Sequence, residues 1–507
     1  MTSHRIAGRF AVALIAGLLC TTLFAATPAT PAPAGTAATP KAGTGGDAPA
    51  PALKGEIKMK YGPFGEVTIY QPAGKPASVA IFISGDGGWN LGVVDMARHL
   101  LSMDAVVVGI DIRRYINYLN APTSTCRYFG ADFEGLAHEV EQRLKMTDYL
   151  QPVLVGYSSG ATLAYAVVVQ APKGTFSGAL SMGFCPDLQL TQKVCKSNGL
   201  GYEPQYAKTG TPPPVKGVLF STSQTNMTHW VAFQGDSDQV CEPEATRKFV
   251  AATKNGELVW LPKVGHGFSV ERNWLPQFKA AYTKLAAHAA PPKVTLPEVA
   301  DLPLVELPAT GAPAAGEDDV FAVLLTGDGG WAGIDQDVSA ALAQRGIPVV
   351  GLNTLKYFWH ERTPDGAARD LERILRRYSS AWHRPRVLLV GYSFGADALP
   401  FLYTRLPADL RATVRSVSLI GLSDTASFEF HVSDWIPGAG GAGHPTVPEI
   451  QRMTGARILC LYGTEEDDTP CPKLTGAGIK AIALPGGHHF GGDFASLVGH
   501  ITDYARN

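Results

Sequence analysis

Short apolar runs alternate with amphipathic stretches along the second half of the chain. Val320–Thr326 is a short, mainly apolar run and reads as a buried strand, as do Ile347–Leu352, Arg386–Val390, Val414–Gly421, Arg457–Tyr462 and Ile479–Leu484. Between them Asp335–Gln344, Ala367–Tyr378, Ala396–Leu406 and Asp493–Tyr504 carry apolar residues at helical spacing. Strands alternating with helices predict a mostly parallel sheet covered on both faces, an α/β architecture. In such sheets sites form at the carboxyl ends of the strands.

The same frame occurs twice. Ala80–Ser84 runs into Gly85-Asp86-Gly87-Gly88-Trp89, and Val323–Thr326 runs into Gly327-Asp328-Gly329-Gly330-Trp331. Later, Val153–Val155 precedes Gly156-Tyr157-Ser158-Ser159-Gly160, and Val387–Val390 precedes Gly391-Tyr392-Ser393-Phe394-Gly395. Gly265-His266-Gly267-Phe268 matches Gly487-His488-His489-Phe490 further on. Serine to histidine spans 108 residues in one copy and 95 in the other, which argues for a duplicated domain and not a short solenoid repeat. A strand entering G-x-S-x-G reads as a nucleophile elbow, with the flanking glycines permitting the tight turn.

An activated serine needs a base and a group that orients the base. In the second copy register with His266 selects His488, and His489 becomes a supporting or substrate contact. The acid comes from Gly463-Thr464-Glu465-Glu466-Asp467-Asp468, matched in the first copy by Gly235-Asp236-Ser237-Asp238. Both loops end Asp-x-x-Cys, so the expected triads are Ser393–His488–Asp468 and Ser158–His266–Asp238. Asp467, Glu466 and Asp236 are the competing acids. For the oxyanion, backbone donors are expected from the residue after each serine, Phe394 and Ser159, and from Asp328-Gly329 and Asp86-Gly87. The alternative for GDGGW is a tight turn whose tryptophan packs on the core. Trp359-His360 and His444 have no triad register and read as surface or cap residues. Nothing in this chemistry calls for a metal or cofactor.

Length and charge limit the rest. A chain of 507 residues exceeds one core, so two domains are expected, 54–288 and 318–507. A net charge of −2 without a basic stripe argues against a nucleic-acid partner. His4, Arg5 and Arg9 precede the apolar stretch Phe10–Ala26, the pattern of a secretory signal peptide cleaved near Ala25 or Ala26. A lipid anchor at Cys20 and an uncleaved anchor are the alternatives. The Ala/Pro/Thr tract 27–53 reads as a flexible linker, and 289–317 as a second one. Six later cysteines fit export to an oxidising compartment. Cys460 and Cys471 are alone in the second domain, so they pair together or stay free. Cys185–Cys195 is the local match in the first, leaving Cys126–Cys241, with buried free thiols as the alternative.

Four segments in order carry a resemblance to a known family. Gly327–Trp331, then Lys356-Tyr357-Phe358-Trp359 with Arg362-Thr363-Pro364, then Gly391–Asp397, then Pro485-Gly486-Gly487-His488-His489-Phe490 resemble the bacterial virulence VirJ/AcvB family. The resemblance of the VirJ type covers only the second half, and the tandem arrangement behind a signal peptide is similar to the longer AcvB type. It implies two tandem α/β-hydrolase domains in a periplasmic serine hydrolase. The substrate it implies is the aminoacyl ester of lysyl-phosphatidylglycerol at the membrane surface, cleaved to lysine and phosphatidylglycerol. A contact with a secretion system or a secreted protein is also implied. Ser393 would attack the ester, His488 would carry the proton and Asp468 would orient His488. A lysyl group calls for carboxylates near the serine, and Glu429 and Asp434, in the segment after Val414–Gly421, are the expected ones. A general esterase or peptidase and a non-catalytic binding factor are the competing functions.

Overall fold

The computed structural model describes residues 54–287, 296–430, 443–474 and 476–506. The expected signal peptide, the 27–53 tract, part of the second linker and Asp434 lie outside them.

The first sheet has eight strands: β1 (Lys54–Tyr61), β2 (Gly65–Gln71), β3 (Ser78–Ile83), β4 (Ala105–Ile110), β5 (Val153–Tyr157) and β6 (Gly178–Met182), followed after an insertion by β10 (Trp230–Gly235) and β11 (Gly256–Leu261). The insertion is a small antiparallel sheet of β7 (Asp187–Leu188), β8 (Tyr202–Tyr206) and β9 (Val215–Phe220). The order is β1-β2-β4-β3-β5-β6-β10-β11, parallel from β4 to β11, with β1 and β2 antiparallel at the edge. Every residue of β3 is buried, the signature of a strand covered by helices on both faces.

The second sheet repeats the plan with β12 (Leu304–Leu307), β13 (Val320–Leu325), β14 (Val349–Leu352), β15 (Arg386–Tyr392) and β16 (Val414–Ile420). After the short β17 (Thr425–Ala426) and β18 (His444–Pro445) it ends with β19 (Ile458–Gly463) and β20 (Ile479–Leu484). Its order is β12-β14-β13-β15-β16-β19-β20. β12 corrects the reading of 289–317 as a flexible linker. Leu304 to Leu307 pair antiparallel with β14, and Val299, Leu302 and Leu304 join the second core. Their apolar side chains supply what the flanking proline and alanine lack. The expected helices are present, displaced by a few residues, as Gly333–Gln344, Pro364–Trp382, Phe394–Thr404 and Phe494–Arg506. Among the described residues no helix is long and apolar enough to cross a membrane.

The two sheet units share a core. Leu355, Trp359 and Phe430 of the second unit belong to the same buried cluster as Phe133, Leu136 and Tyr149 of the first. Trp359 lies stacked on Phe430 and donates its indole N–H to the Met146 carbonyl at 2.9 Å. The helix Phe129–Arg143 supplies the facing surface, where His138 contacts Tyr149, Trp359 and Phe430 and burial pushes its imidazole down to about 3. Trp359 is therefore no surface residue, being 4% exposed, whereas its neighbour His360 is exposed. Truncating Trp359 to alanine leaves a cavity between the units and an unmade hydrogen bond. We expect a loss of about 3–5 kcal/mol in urea unfolding. A loss below about 1 kcal/mol would show that the units are not held by this contact.

Candidate active site

Both elbows are built by the same steric device. Ser158 has φ 56° and ψ −123°, and Ser393 φ 50° and ψ −120°, a conformation non-glycine residues adopt only under constraint. It bends β5 into the helix Ser159–Gln170 and β15 into Phe394–Thr404 so sharply that the backbones touch. A Cβ on Gly156 would stand 2.1 Å from the Gly160 carbonyl oxygen, and one on Gly160 would stand 2.3 Å from that of Ile83. The corresponding separations are 2.5 Å from Gly391 to Gly395 and 2.3 Å from Gly395 to Leu325. Both glycines of the motif are thus required by close approach.

GDGGW sits beside the serine. A Cβ on Gly85 would lie 3.0 Å from Ser158 Cβ, and one on Gly327 would lie 3.5 Å from Ser393 Cβ. Each loop closes through a backbone bond, Gly88 to Gly85 and Gly330 to Gly327, leaving Asp86-Gly87 and Asp328-Gly329 in the central positions. Ser159 and Phe394 open helices, where first-turn N–H groups have no intrahelical acceptor. These are the groups expected to face an oxyanion. The tryptophan also packs inward: Trp89 lies over Gly109 and Trp331 over Gly351, where a Cβ would come within 2.1 and 2.0 Å of the indole. The loop is turn, anchor and oxyanion candidate together.

In the first unit the expected triad is assembled. His266 Nε2 is 3.0 Å from Ser158 Oγ, and Nδ1 is 2.9 Å from Asp238 Oδ2. Asp238 Oδ1 accepts from the N–H groups of Val240 and Cys241, which fixes the carboxylate. Gly183, at the end of β6, leaves room for the imidazole, and Tyr157 donates to the His266 carbonyl at 3.1 Å.

In the second unit Glu466, not Asp468, is the partner of His488. Glu466 Oε1 lies 2.5 Å from His488 Nδ1 and its other oxygen accepts from Gly463 N–H, while Asp467 and Asp468 are exposed. The match through Asp-x-x-Cys misplaced the acid because the second loop is longer on the cysteine side. Counted from the last strand glycine, Gly235 or Gly463, Asp238 and Glu466 fall at the same third position. Burial alone would lower the His488 pKa, but the Glu466 hydrogen bond and charge, with Asp328 and Asp397, outweigh it and leave it raised. The described hydrogen bonds of this site end at His488, whose side chain is 37% exposed against 16% for His266. His489 holds the elbow, its Nδ1 lying 3.1 Å from the Tyr392 hydroxyl.

Two of three expected disulfides are exchanged. The bonds are Cys126–Cys195, Cys185–Cys241 and Cys460–Cys471, so Cys185–Cys195 and Cys126–Cys241 do not form. β6 and β10 are neighbours in the sheet, and their carboxyl ends bring Cys185 to Cys241. The acid loop is thereby clamped in both units. The three groups Asp238, Cys241 and His266 also lie together, but Cys241 is in a disulfide and the other two belong to the triad. Glu429 sits in a turn whose N–H and carbonyl both bond Ser427 Oγ. His444 packs against Phe401 and Phe428.

Three further carboxylates stand about the second elbow and its GDGGW turn, and sequence reasoning missed them. Asp397, on the first turn after Ser393, accepts from Ser423 N–H at 2.7 Å, and burial pushes it up to about 8. Asp335 accepts from Gly327 N–H and is raised well above the carboxylate range by burial. Glu134 comes from the first unit. A Cβ on Gly329 would stand 3.4 Å from its Oε1, and burial plus the Asp328 charge push it up to about 8. The fourth position after the serine could have been compared between copies, but nothing in the sequence connects Glu134 to a loop in the other repeat.

Comparison with known proteins bears on this arrangement. The model of one family, described as bacterial virulence protein (VirJ), matches residues 77–181 and 319–507, more than half of the chain. The chain belongs to the VirJ family. In the first unit the family match includes GDGGW and the elbow and stops before Asp238 and His266. A search of curated proteins returned no match. Similar solved structures include an α/β serine hydrolase without lid from Xanthomonas campestris, at 16% identity over 47% of this chain and 95% of that one, TM-score 0.29. Est1E from Butyrivibrio proteoclasticus matches at 12% identity over 46% and 100%, TM-score 0.30. An α/β serine hydrolase homologue from Coxiella burnetii matches at 17% identity over 47% and 99%, TM-score 0.28.

The acid assignment is testable. Glu466→Gln should lower the Ser393-dependent kcat by on the order of 10³–10⁴, whereas Asp468→Asn should change it less than about twofold. Because a base must be neutral and the His488 pKa is raised, the acidic limb of the pH–rate profile should lie above about 6.5 and move down in Glu466→Gln. An unmoved limb would remove Glu466 from the triad.

Proposed function

We propose that the Ser393 site is a periplasmic serine esterase that hydrolyses the aminoacyl ester of lysyl-phosphatidylglycerol. Membership of the VirJ family, the elbow and the Glu466–His488 pair support a hydrolase. Three disulfides fit an oxidising compartment. The observation that carries the substrate is that Asp335 and Glu134 stand at the Gly327–Gly330 turn and Asp397 on the first turn after Ser393, all feeling the Asp328 charge. Burial and the Asp328 charge hold Glu134, Asp335 and Asp397 toward their protonated forms, which a cation placed beside them would oppose. A lysyl ammonium would favour their ionised forms, so substrate charge and site charge complement each other.

Ser393 Oγ bonds to the lysyl carbonyl carbon as its proton passes to His488, and the oxyanion is received by N–H groups of Phe394 and the Asp328-Gly329 turn. Collapse breaks the bond to the glycerol oxygen, which takes the proton from His488 and leaves as phosphatidylglycerol. Water, deprotonated by His488, then releases lysine and restores Ser393. Glu466 holds His488 and stabilises its charged form. No cofactor is needed for any step.

Purified protein given vesicles containing lysyl-phosphatidylglycerol should release lysine, and Ser393→Ala should lower release by at least about 10³. Glu134→Gln should raise KM for lysyl esters roughly tenfold or more and leave norleucyl esters unchanged, since a charge-assisted hydrogen bond contributes about 1.5–3 kcal/mol. Equal effects on both esters would sink the cationic reading.

A further inference from the structure

We propose that Ser158 is a second catalytic serine, with an acyl preference opposite to that of Ser393: short, uncharged acyl esters. The triad of the first unit is the more completely assembled of the two. Its serine, histidine and acid are joined by hydrogen bonds of 3.0 and 2.9 Å, and the Asp238 side chain is fully buried. The acid loop is pinned by two backbone N–H donors and by the Cys185–Cys241 bond. A strained serine costs of order 1–3 kcal/mol and persists only where the surroundings over-determine it. Here they do, through Gly156, Gly160, Gly183 and Tyr157.

The surroundings of the two serines differ in charge at matching positions. The eighth residue after the first glycine of GDGGW is Asp335 in the second unit and Val93 in the first. The fourth residue after the serine is Asp397 in the second and Thr162 in the first. The aspartate of the loop itself, Asp86, is exposed and bonded by the Ser159 hydroxyl at 2.7 Å. Beside Ser158 opens a cleft of about 230 Å³ whose walls include Gly87, Asn90, Val93, Met96 and Tyr157, with no charged side chain among its lining. Apolar walls and few polar groups suit an uncharged acyl chain, and the charged groups at the rim are already engaged, Asp86 by the Ser159 hydroxyl and Arg113, beside Gly88, by Asp111.

The step balances without a co-reactant other than water. The Ser158 Oγ–acyl bond forms while its proton moves to His266 Nε2, the ester C–O bond breaks, and the leaving oxygen takes that proton. Water then cleaves the acyl-serine bond, and the acid product departs.

The test uses full-length Ser393→Ala, so it is independent of the reading of the Ser393 site. p-Nitrophenyl butyrate should be hydrolysed, with kcat/KM at least about tenfold above that for the p-nitrophenyl ester of Nα-protected lysine, and a fluorophosphonate probe should label Ser158. Adding Ser158→Ala should remove the labelling and lower hydrolysis by on the order of 10³. No labelling in a Ser393→Ala protein with wild-type melting and circular dichroism would overturn the second centre. A lysyl ester cleaved as well as butyrate would overturn the preference.

Discussion

Everything at these sites depends on one close approach. At each elbow a strand turns into a helix through a serine held at positive φ, and the two backbones meet across glycines that admit no side chain. The approach of Gly160 to the Ile83 carbonyl, and of Gly395 to that of Leu325, ties the elbow to the neighbouring strand that leads into GDGGW. The serine, the GDGGW turn and the N–H groups at the start of the helix are therefore set by a single contact. The histidine and acid are then brought in from loops further along the sheet, against Gly183 or Gly421 at the end of the adjoining strand.

The copies share this scaffold and differ in what surrounds it. In the first unit an aspartate held by two backbone N–H groups serves the histidine, with an uncharged cleft beside the serine. In the second a longer glutamate reaches the same place and buried carboxyls crowd the site. The scaffold is common to both copies; the residues just outside it differ in charge.

The seam between the units is part of that distinction. The helix Phe129–Arg143 faces both ways. Its apolar side joins the shared core with Trp359 and Phe430, and Glu134 on the same helix reaches the turn of the second unit. Nearby, the Lys173 carbonyl accepts from Gly333 N–H, just after the second GDGGW. The first unit thus touches the GDGGW turn of the second as well as holding its own Ser158–His266–Asp238 arrangement.

Much of this was written in the chain order. The alternation of apolar runs and amphipathic stretches determined the parallel sheets, because burial on both faces leaves no polar alternation in the strands. The repeated glycines, serines and histidines determined both elbows and both bases, because steric need and chemistry admit few other residues there. Glycine at the end of β19 even held the register of the acid, though the nearby cysteine suggested another. What the tertiary structure alone decided were the contacts that join distant segments. Cys185 meets Cys241 because β6 and β10 are neighbours, not because they are close in sequence. Leu304 to Leu307 became an edge strand because β14 offered free backbone groups to an otherwise nondescript segment. Trp359 was buried, and Glu134 brought to a loop of the other repeat, by packing of one unit on the other, which local pattern cannot encode.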